Sequence, residues 1–154
     1  MALAEIVPEC ERVVLDADAL LPGIPLKGII TPHESEFRRV SSIKLPPGRV
    51  QRETLMTFAR DMKITVLLKG EVDLITDGDV IRGNATGNPG MTVGGTGDVL
   101  AGITGAFYSR ASPLRAAVAA AFVNGTAGDL ACQEKGYSLL ATDVIENIPA
   151  AMNF

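Results

Sequence analysis

Ile64-Thr65-Val66-Leu67-Leu68 is followed by Lys69-Gly70-Glu71 and then by Val72-Asp73-Leu74-Ile75-Thr76. The first run is continuously β-branched or aliphatic, the pattern of a strand covered on both faces. The second reads as another strand. Asp77-Gly78-Asp79 then serves as a hairpin turn that returns the chain through Val80-Ile81-Arg82. Working toward the N-terminus, Gly28-Ile29-Ile30-Thr31 reads as a strand, and Arg12-Val13-Val14-Leu15-Asp16 as a short buried one ending on acidic residues. Thr31-Pro32-His33-Glu34 fits a capping box with Pro at the first helical position, opening a helix through Val40. Pro46-Pro47-Gly48 breaks the chain before a helix from about Val50 to Met62, in which Leu55, Phe58, Ala59 and Met62 recur at helical spacing.

Toward the C-terminus, a glycine-rich segment from Gly83 to Gly97 separates the β region from a helical third. Val99 to Tyr108, Pro113 to about Glu134, and Leu140 to Met152 read as helices. The second is apolar on most faces and is expected to be buried, with Gly125 and Gly128 admitting a close neighbour. Strand–helix alternation, a hairpin and late helices predict one α/β domain over residues 1–154. Its sheet is expected to be mostly parallel, flanked by helices, with an antiparallel edge hairpin. Ligands in such sheets sit beyond the carboxyl ends of the strands. Asp16-Ala17-Asp18, Thr31-Pro32-His33-Glu34 and Lys69-Gly70-Glu71 all fall at that edge.

The bulk composition narrows the function. With 154 residues, 47% hydrophobic and 21% charged, the chain can bury a core and is not disordered. The net charge of −4 argues against a nucleic-acid partner, which needs a basic face. Nucleotide binding stays open, because helix N-termini and backbone amides bind phosphate without net charge. Cys10 and Cys132 form no CxxC pair, and with the single His33 they make no zinc-like cluster. The longest apolar-looking stretch, Ala116 to Val123, falls well short of the ~20 residues of a membrane span. No basic leader opens the chain. These features predict a cytoplasmic protein with no membrane partner.

The densest signal is Gly87-Asn88-Pro89-Gly90-Met91-Thr92-Val93-Gly94-Gly95-Thr96-Gly97-Asp98-Val99-Leu100. Asn88-Pro89-Gly90 reads as a type II turn. Gly94, Gly95, Thr96 and Gly97 bring backbone amides together where a helix starts, a place suited to an anion or a developing phosphoryl charge. Two familiar phosphate loops fail here. Gly90 and Gly95 have P-loop spacing, but Thr96 stands where that motif needs Lys; Gly95-x-Gly97 begins a dinucleotide fingerprint, but Leu100 replaces its third glycine. Asp98 is open to two readings: a favourable charge on the helix dipole, worth about 0.3–1 kcal/mol, or a general base for a substrate hydroxyl. Asp16 and Asp18 either cap loop amides or contact substrate or magnesium, and Asn88 is a further candidate for such a contact. Lys69 is either a solvated charge or part of the site. His33 lies outside the expected cap and is either a surface residue or a ligand contact. Arg12, Arg38 and Arg39 read as solvated charges.

The glycine segment resembles the Gly-Asn-Pro-Gly-Met-x-x-Gly-Gly-Thr/Ser-Gly-Asp-Val-Leu stretch of the ADP/ATP-dependent NAD(P)H-hydrate dehydratases, within the ribokinase-like superfamily. Val14 to Leu20, Ile30 to Glu36, and Leu67 to Gly70 resemble further family segments in the same order along the chain. The resemblance implies a ribokinase-like fold whose matching region begins near the family's middle, so the chain is expected to be the C-terminal part of a longer domain. It implies ADP or ATP as co-substrate, Mg²⁺ on the phosphates, and NAD(P)H hydrate as the molecule dehydrated. Gly97 is implied at the nucleotide phosphates and Asp98 at the hydrate, as the base that starts its phosphorylation. Lys69, Gly70, Glu71, Val72 and Asp73 are implied to line the nucleotide, and His33 to face the hydrated nicotinamide. Many members read Lys-Gly-Ala-Gly-Thr where this chain has Lys-Gly-Glu-Val-Asp. Either the chain is a fragment, or a homo-oligomer or a partner supplies the N-terminal part. Two rival readings stand beside this one: a small-alcohol kinase of the same superfamily, and a non-catalytic nucleotide-binding fragment.

Overall fold

Thr65–Leu68 (β3) lies at the middle of a five-stranded sheet in the computed structural model, which describes residues 2–153. All of β3 is buried, as its unbroken apolar run predicts. Ile29–Ile30 (β2) pairs with it in parallel and Val14–Leu15 (β1) continues in parallel beyond. On the other side Asp73–Thr76 (β4) and Ile81–Asn84 (β5) add antiparallel pairings. The sheet is therefore mixed, with its strands in chain order and β1 and β5 at its edges.

Alternation along the strands divides the core into two layers. Ile29, Leu67 and Ile75 pack with three C-terminal helices, Thr96–Tyr108 (α4), Pro113–Lys135 (α5) and Ala141–Ala151 (α6). Leu15, Ile30, Val66, Leu68 and Leu74 face the opposite layer. That layer holds Val7 of Ala2–Glu9 (α1), Phe37 of Glu34–Ser41 (α2), and Leu55 and Ala59 of Arg49–Met62 (α3). Phe37 meets Phe58 edge to face at 4.9 Å, so Phe58 belongs to this layer as its spacing predicts. Met62 does not: it is 43% exposed at the C-terminal end of α3. The helix α1 has no counterpart in the sequence expectations; Pro8 sits inside it, and only Val7 is buried.

Helix α5 is buried along most of its length because it is built from Ala and Gly, whose small side chains let α4, α6 and the sheet approach together. Asp143 accepts from the backbone N–H of Leu140 at the start of α6. Lys135, at the end of α5, hydrogen-bonds the same carboxyl and holds it below the ordinary carboxylate range. At Gly125 a Cβ would lie 2.6 Å from both the carbonyl carbon and oxygen of Thr86, and backbone cannot rotate away. Gly125→Ala is therefore expected to destabilise the fold by about 1–3 kcal/mol, the usual cost of overpacking. A urea titration with an unchanged midpoint would contradict that close approach. No helix among the described residues is long and apolar enough to cross a membrane.

Candidate functional site at the carboxyl ends of the strands

The parallel strands bring the three chain segments at their carboxyl ends together. Pairing of β2 with β3 continues past both strands into a bridge between His33 and Lys69, where the Lys69 N–H donates to Pro32 O at 2.8 Å. Lys69 then extends its ammonium to Asp16 Oδ1 at 2.9 Å, just past β1. The Thr31 hydroxyl donates to the same oxygen at 2.8 Å. A second carboxylate, Glu36, stands 3.6 Å from Lys69 Nζ, with both carboxylates largely buried. A lysine held between two carboxylates is fixed in position, rather than ranging through solvent as a lone surface lysine does.

Thr31 is thus taken by Asp16 and does not cap α2. The cap is His33: its Nδ1 accepts from the backbone N–H of Ser35 and of Glu36, while Glu36 Oε2 accepts from the His33 N–H at 2.8 Å. The capping box expected two residues earlier is replaced by this one, and Pro32 lies outside the helix. An Nδ1 that accepts from amides leaves the ring proton on Nε2, which lies 3.3 Å from Glu36 Oε1. The imidazole stays half exposed. Sequence reasoning assigned Glu36 no role, although its spacing three residues after His33 was the available signal.

Ala17, between the two acidic residues, has φ 49°, a left-handed conformation that costs a non-glycine residue about 1–2 kcal/mol. Arg39 offsets this by donating from α2 to the carbonyls of Ala17 (2.9 Å) and Leu20 (3.1 Å). Neither it nor Arg12 is a simple solvated charge. Arg12 donates to Tyr108 O and lies 5.4 Å over the Tyr108 ring. Asp18 is exposed in the short turn Ala17–Ala19.

Opposite this cluster, α4 begins. Gly95 is its N-cap at φ 97°, a conformation suited to glycine. Thr96 is buried and ties the turn with its hydroxyl, which donates to Met91 O (2.7 Å) and Val93 O (3.1 Å). The first N–H groups of the helix have no carbonyl one turn back. A Cβ built at Gly97 would lie 3.5 Å from Lys69 Nζ and 3.9 Å from Asp16 Oδ2. The helix start, the lysine and the aspartate therefore face one another. Asp98 follows in the first turn, with its side chain exposed. Gly94 is exposed just before the turn.

The remaining candidates divide. Glu71 and Val72 are exposed, and Val72 packs on Gly83. Asp73 accepts from the Gly70 N–H (3.1 Å) and from Asn84 Nδ2 (3.0 Å), fixing the loop after Lys69; burial pushes its carboxyl above the usual range. Asn88 spends its side chain on structure, accepting from the Gly90 N–H and donating to Gly128 O and Asp129. Pro89–Thr92 forms a 3₁₀ turn capped by Asn88, and Gly90 is not left-handed, so the expected type II turn is absent.

The sequence model of a family described as NAD(P)H-hydrate dehydratase matches residues 1–150. The chain belongs to this family. Relatives of this dehydratase-family chain include the bifunctional NAD(P)H-hydrate repair enzyme Nnr of Archaeoglobus fulgidus. That protein is 43% identical over 150 residues, covering 96% of this chain and 30% of its own. The ADP/ATP-dependent NAD(P)H-hydrate dehydratase of Bacillus subtilis, co-crystallized with ATP/Mg²⁺ and soaked with CoA, superposes with a TM-score of 0.79 at 30% identity. The match covers 91% of this chain and 55% of that one. A ribokinase-like superfamily protein from Enterococcus faecalis V583 superposes at 0.77 with 28% identity, over 98% of this chain and 56% of that one. The fold is accordingly ribokinase-like. The chain spans about a third of the repair enzyme and a little over half of each solved relative.

Proposed function

We propose that this chain carries the nucleotide-binding and hydroxyl-activating part of an ADP- or ATP-dependent NAD(P)H-hydrate dehydratase. The observation that carries the reading is the approach of Lys69 and Asp16 to the glycine start of α4, with Asp98 one residue further on. Unpaired amides and an ammonium together suit a nucleotide's terminal phosphates. Family membership supplies the substrate class, since the Bacillus subtilis relative is an ADP/ATP-dependent NAD(P)H-hydrate dehydratase.

In this reading Lys69 and the amides of Gly94 to Gly97 hold the phosphates, and the loop from Gly70 to Asp73 lies along the nucleotide. Asp98 takes the proton from the hydrate's hydroxyl as its oxygen attacks the terminal phosphorus, releasing AMP from ADP. The carbon–oxygen bond then breaks, with inorganic phosphate leaving as the ring nitrogen's electron pair moves in. Loss of a proton from the neighbouring carbon restores the reduced nicotinamide. His33, half exposed beside Lys69, faces the hydrated ring. Magnesium fits as a phosphate-bound ion, because such an ion needs only one or two protein carboxylates, and Asp16 is the one beside the helix start. It supplies charge neutralisation at the phosphates. Asp18 is a more distant candidate for that contact. The cytoplasmic setting expected from the cysteine usage belongs to the same reading.

Crystals soaked with ADP test the assignment directly. Phosphate density is expected at the Gly97 amide within reach of Lys69 Nζ. Ordered nucleotide elsewhere, with that turn empty, would sink it. In a complete enzyme containing these residues, the product separates the rival kinase: dehydration releases inorganic phosphate and reduced nicotinamide, whereas a kinase yields a stable phosphate ester.

A further inference from the structure

The glycine-rich segment is tied by its own turns and is also held from outside. Its backbone is clasped from α5 by one side chain, that of Asp129, far along the chain. Asp129 Oδ2 accepts from the Gly87 N–H at 2.9 Å, and Oδ1 accepts from Asn88 Nδ2 at 3.0 Å. Asn88 in turn donates to Gly128 O and accepts from the Gly90 N–H, each at 3.0 Å. Beside these bonds, Met91 fills the space that a side chain at Gly128 would need, and Thr86 fills that at Gly125. Past Met91, the Thr96 hydroxyl ties Met91 O to the first turn of α4, where Gly97 faces Lys69. An unbroken series of contacts thus runs from the Asp129 carboxylate to the anion-facing helix start.

We propose that Asp129 is a positioning residue of the nucleotide site, setting the Gly87–Gly97 backbone against Lys69 without touching nucleotide. The chemistry of the clasp requires a carboxylate. Both partners of Asp129 are N–H donors, so both of its oxygens must accept. A carboxamide has one acceptor, and whichever way it turns, one contact becomes donor against donor. Asp129→Asn therefore breaks half of the clasp while preserving shape and volume inside α5. The further consequence for nucleotide rests on the functional reading above; the consequence for the segment itself does not.

Hydrogen exchange on the full chain, paired with ADP calorimetry, tests both levels. In Asp129→Asn the amides from Gly87 to Thr96 are expected to exchange at least tenfold faster, while those in the middle of α5 and in α6 keep their protection. ADP is expected to bind about tenfold more weakly or worse. Val144→Ala, a core truncation in α6, serves as the control: it lowers the melting temperature but leaves Gly87–Thr96 exchange and ADP affinity as in the parent chain. Should Asp129→Asn fail to fold, Asn88→Asp breaks the same contact from the other side and is expected to give the same local pattern. Unchanged exchange of the segment in a folded variant overturns the clasp. Faster exchange with unchanged ADP affinity overturns the positioning role. If the parent chain itself binds no ADP, the functional reading fails, and exchange still decides the clasp.

Discussion

Asp98→Asn is expected to lower dehydration turnover by about 10²–10⁴, the usual contribution of a positioned general base, in a complete enzyme that contains these residues. Nucleotide affinity is expected to stay within a few-fold of the parent. The carboxamide has the same shape, and the groups assigned to the phosphates are the α4 amides and Lys69, which the substitution leaves in place. The helix itself loses only the dipole contribution of an exposed first-turn carboxylate, about 0.3–1 kcal/mol. A structural role and a catalytic one therefore differ by orders of magnitude in the rate. The measurement is steady-state phosphate release alongside absorbance of the reduced nicotinamide. Near-normal turnover in Asp98→Asn would reduce the residue to a helix-start charge and move the base elsewhere in the site.

A polypeptide of residues 1–154 alone is expected to bind ADP without forming NADH from the hydrate. The candidate nucleotide groups from Lys69 to Gly97 lie on or beside β3, β4 and α4, which pack with α5 in one layer of the core. The surroundings proposed for the hydrate are less enclosed. Asp16 and His33 follow β1 and β2, and β1 is an edge strand with no outer neighbour among the described residues. The solved relatives are nearly twice as long as the region they share with this chain. Phosphoryl transfer needs the hydroxyl about 3–3.5 Å from phosphorus and in line with the leaving group, and a ~1 Å misplacement can already cost about 10²-fold. A substrate held on one side only falls outside that tolerance. Calorimetry with ADP and absorbance at the reduced-nicotinamide band read the two halves separately, with the mass in solution measured on the same sample. ADP-dependent NADH formation by the monomer would refute this expectation. Activity that appears only in a homo-oligomer, or with an added chain pairing along β1, would support it.

Features written in local periodicity were legible before the structure. The unbroken apolar run of β3, the Asp77–Asp79 turn and the bounds of α4, α5 and α6 follow from neighbours a few residues apart, where side-chain spacing and turn chemistry act directly. Gly125 and Gly128 announced a close approach because bare glycine in an Ala-rich helix has little other use. Convergence of Asp16, Thr31 and Lys69 also followed from parallel strands whose carboxyl ends share one edge.

Choices between equally plausible local partners were made by residues distant in sequence. Thr31 and His33 both sit where α2 can be capped, and Thr31 loses because Asp16, fifteen positions away, takes its hydroxyl. Glu36 becomes a neighbour of Lys69 only when β2 and β3 pair. Asp129 meets Gly87 across 42 positions, and Arg12 meets Tyr108 across 96. Such pairings have no period and no fixed spacing, since they depend on how packed layers place two surfaces. By itself, then, the sequence determined the strands, the late helices and the glycine start of α4, through local backbone preference and hydrophobic patterning. Tertiary structure alone decided which side chain caps α2, which carboxylates hold Lys69 and what clasps the glycine segment, because each is a competition for donors and charges that only the packed chain brings within hydrogen-bond or ion-pair reach.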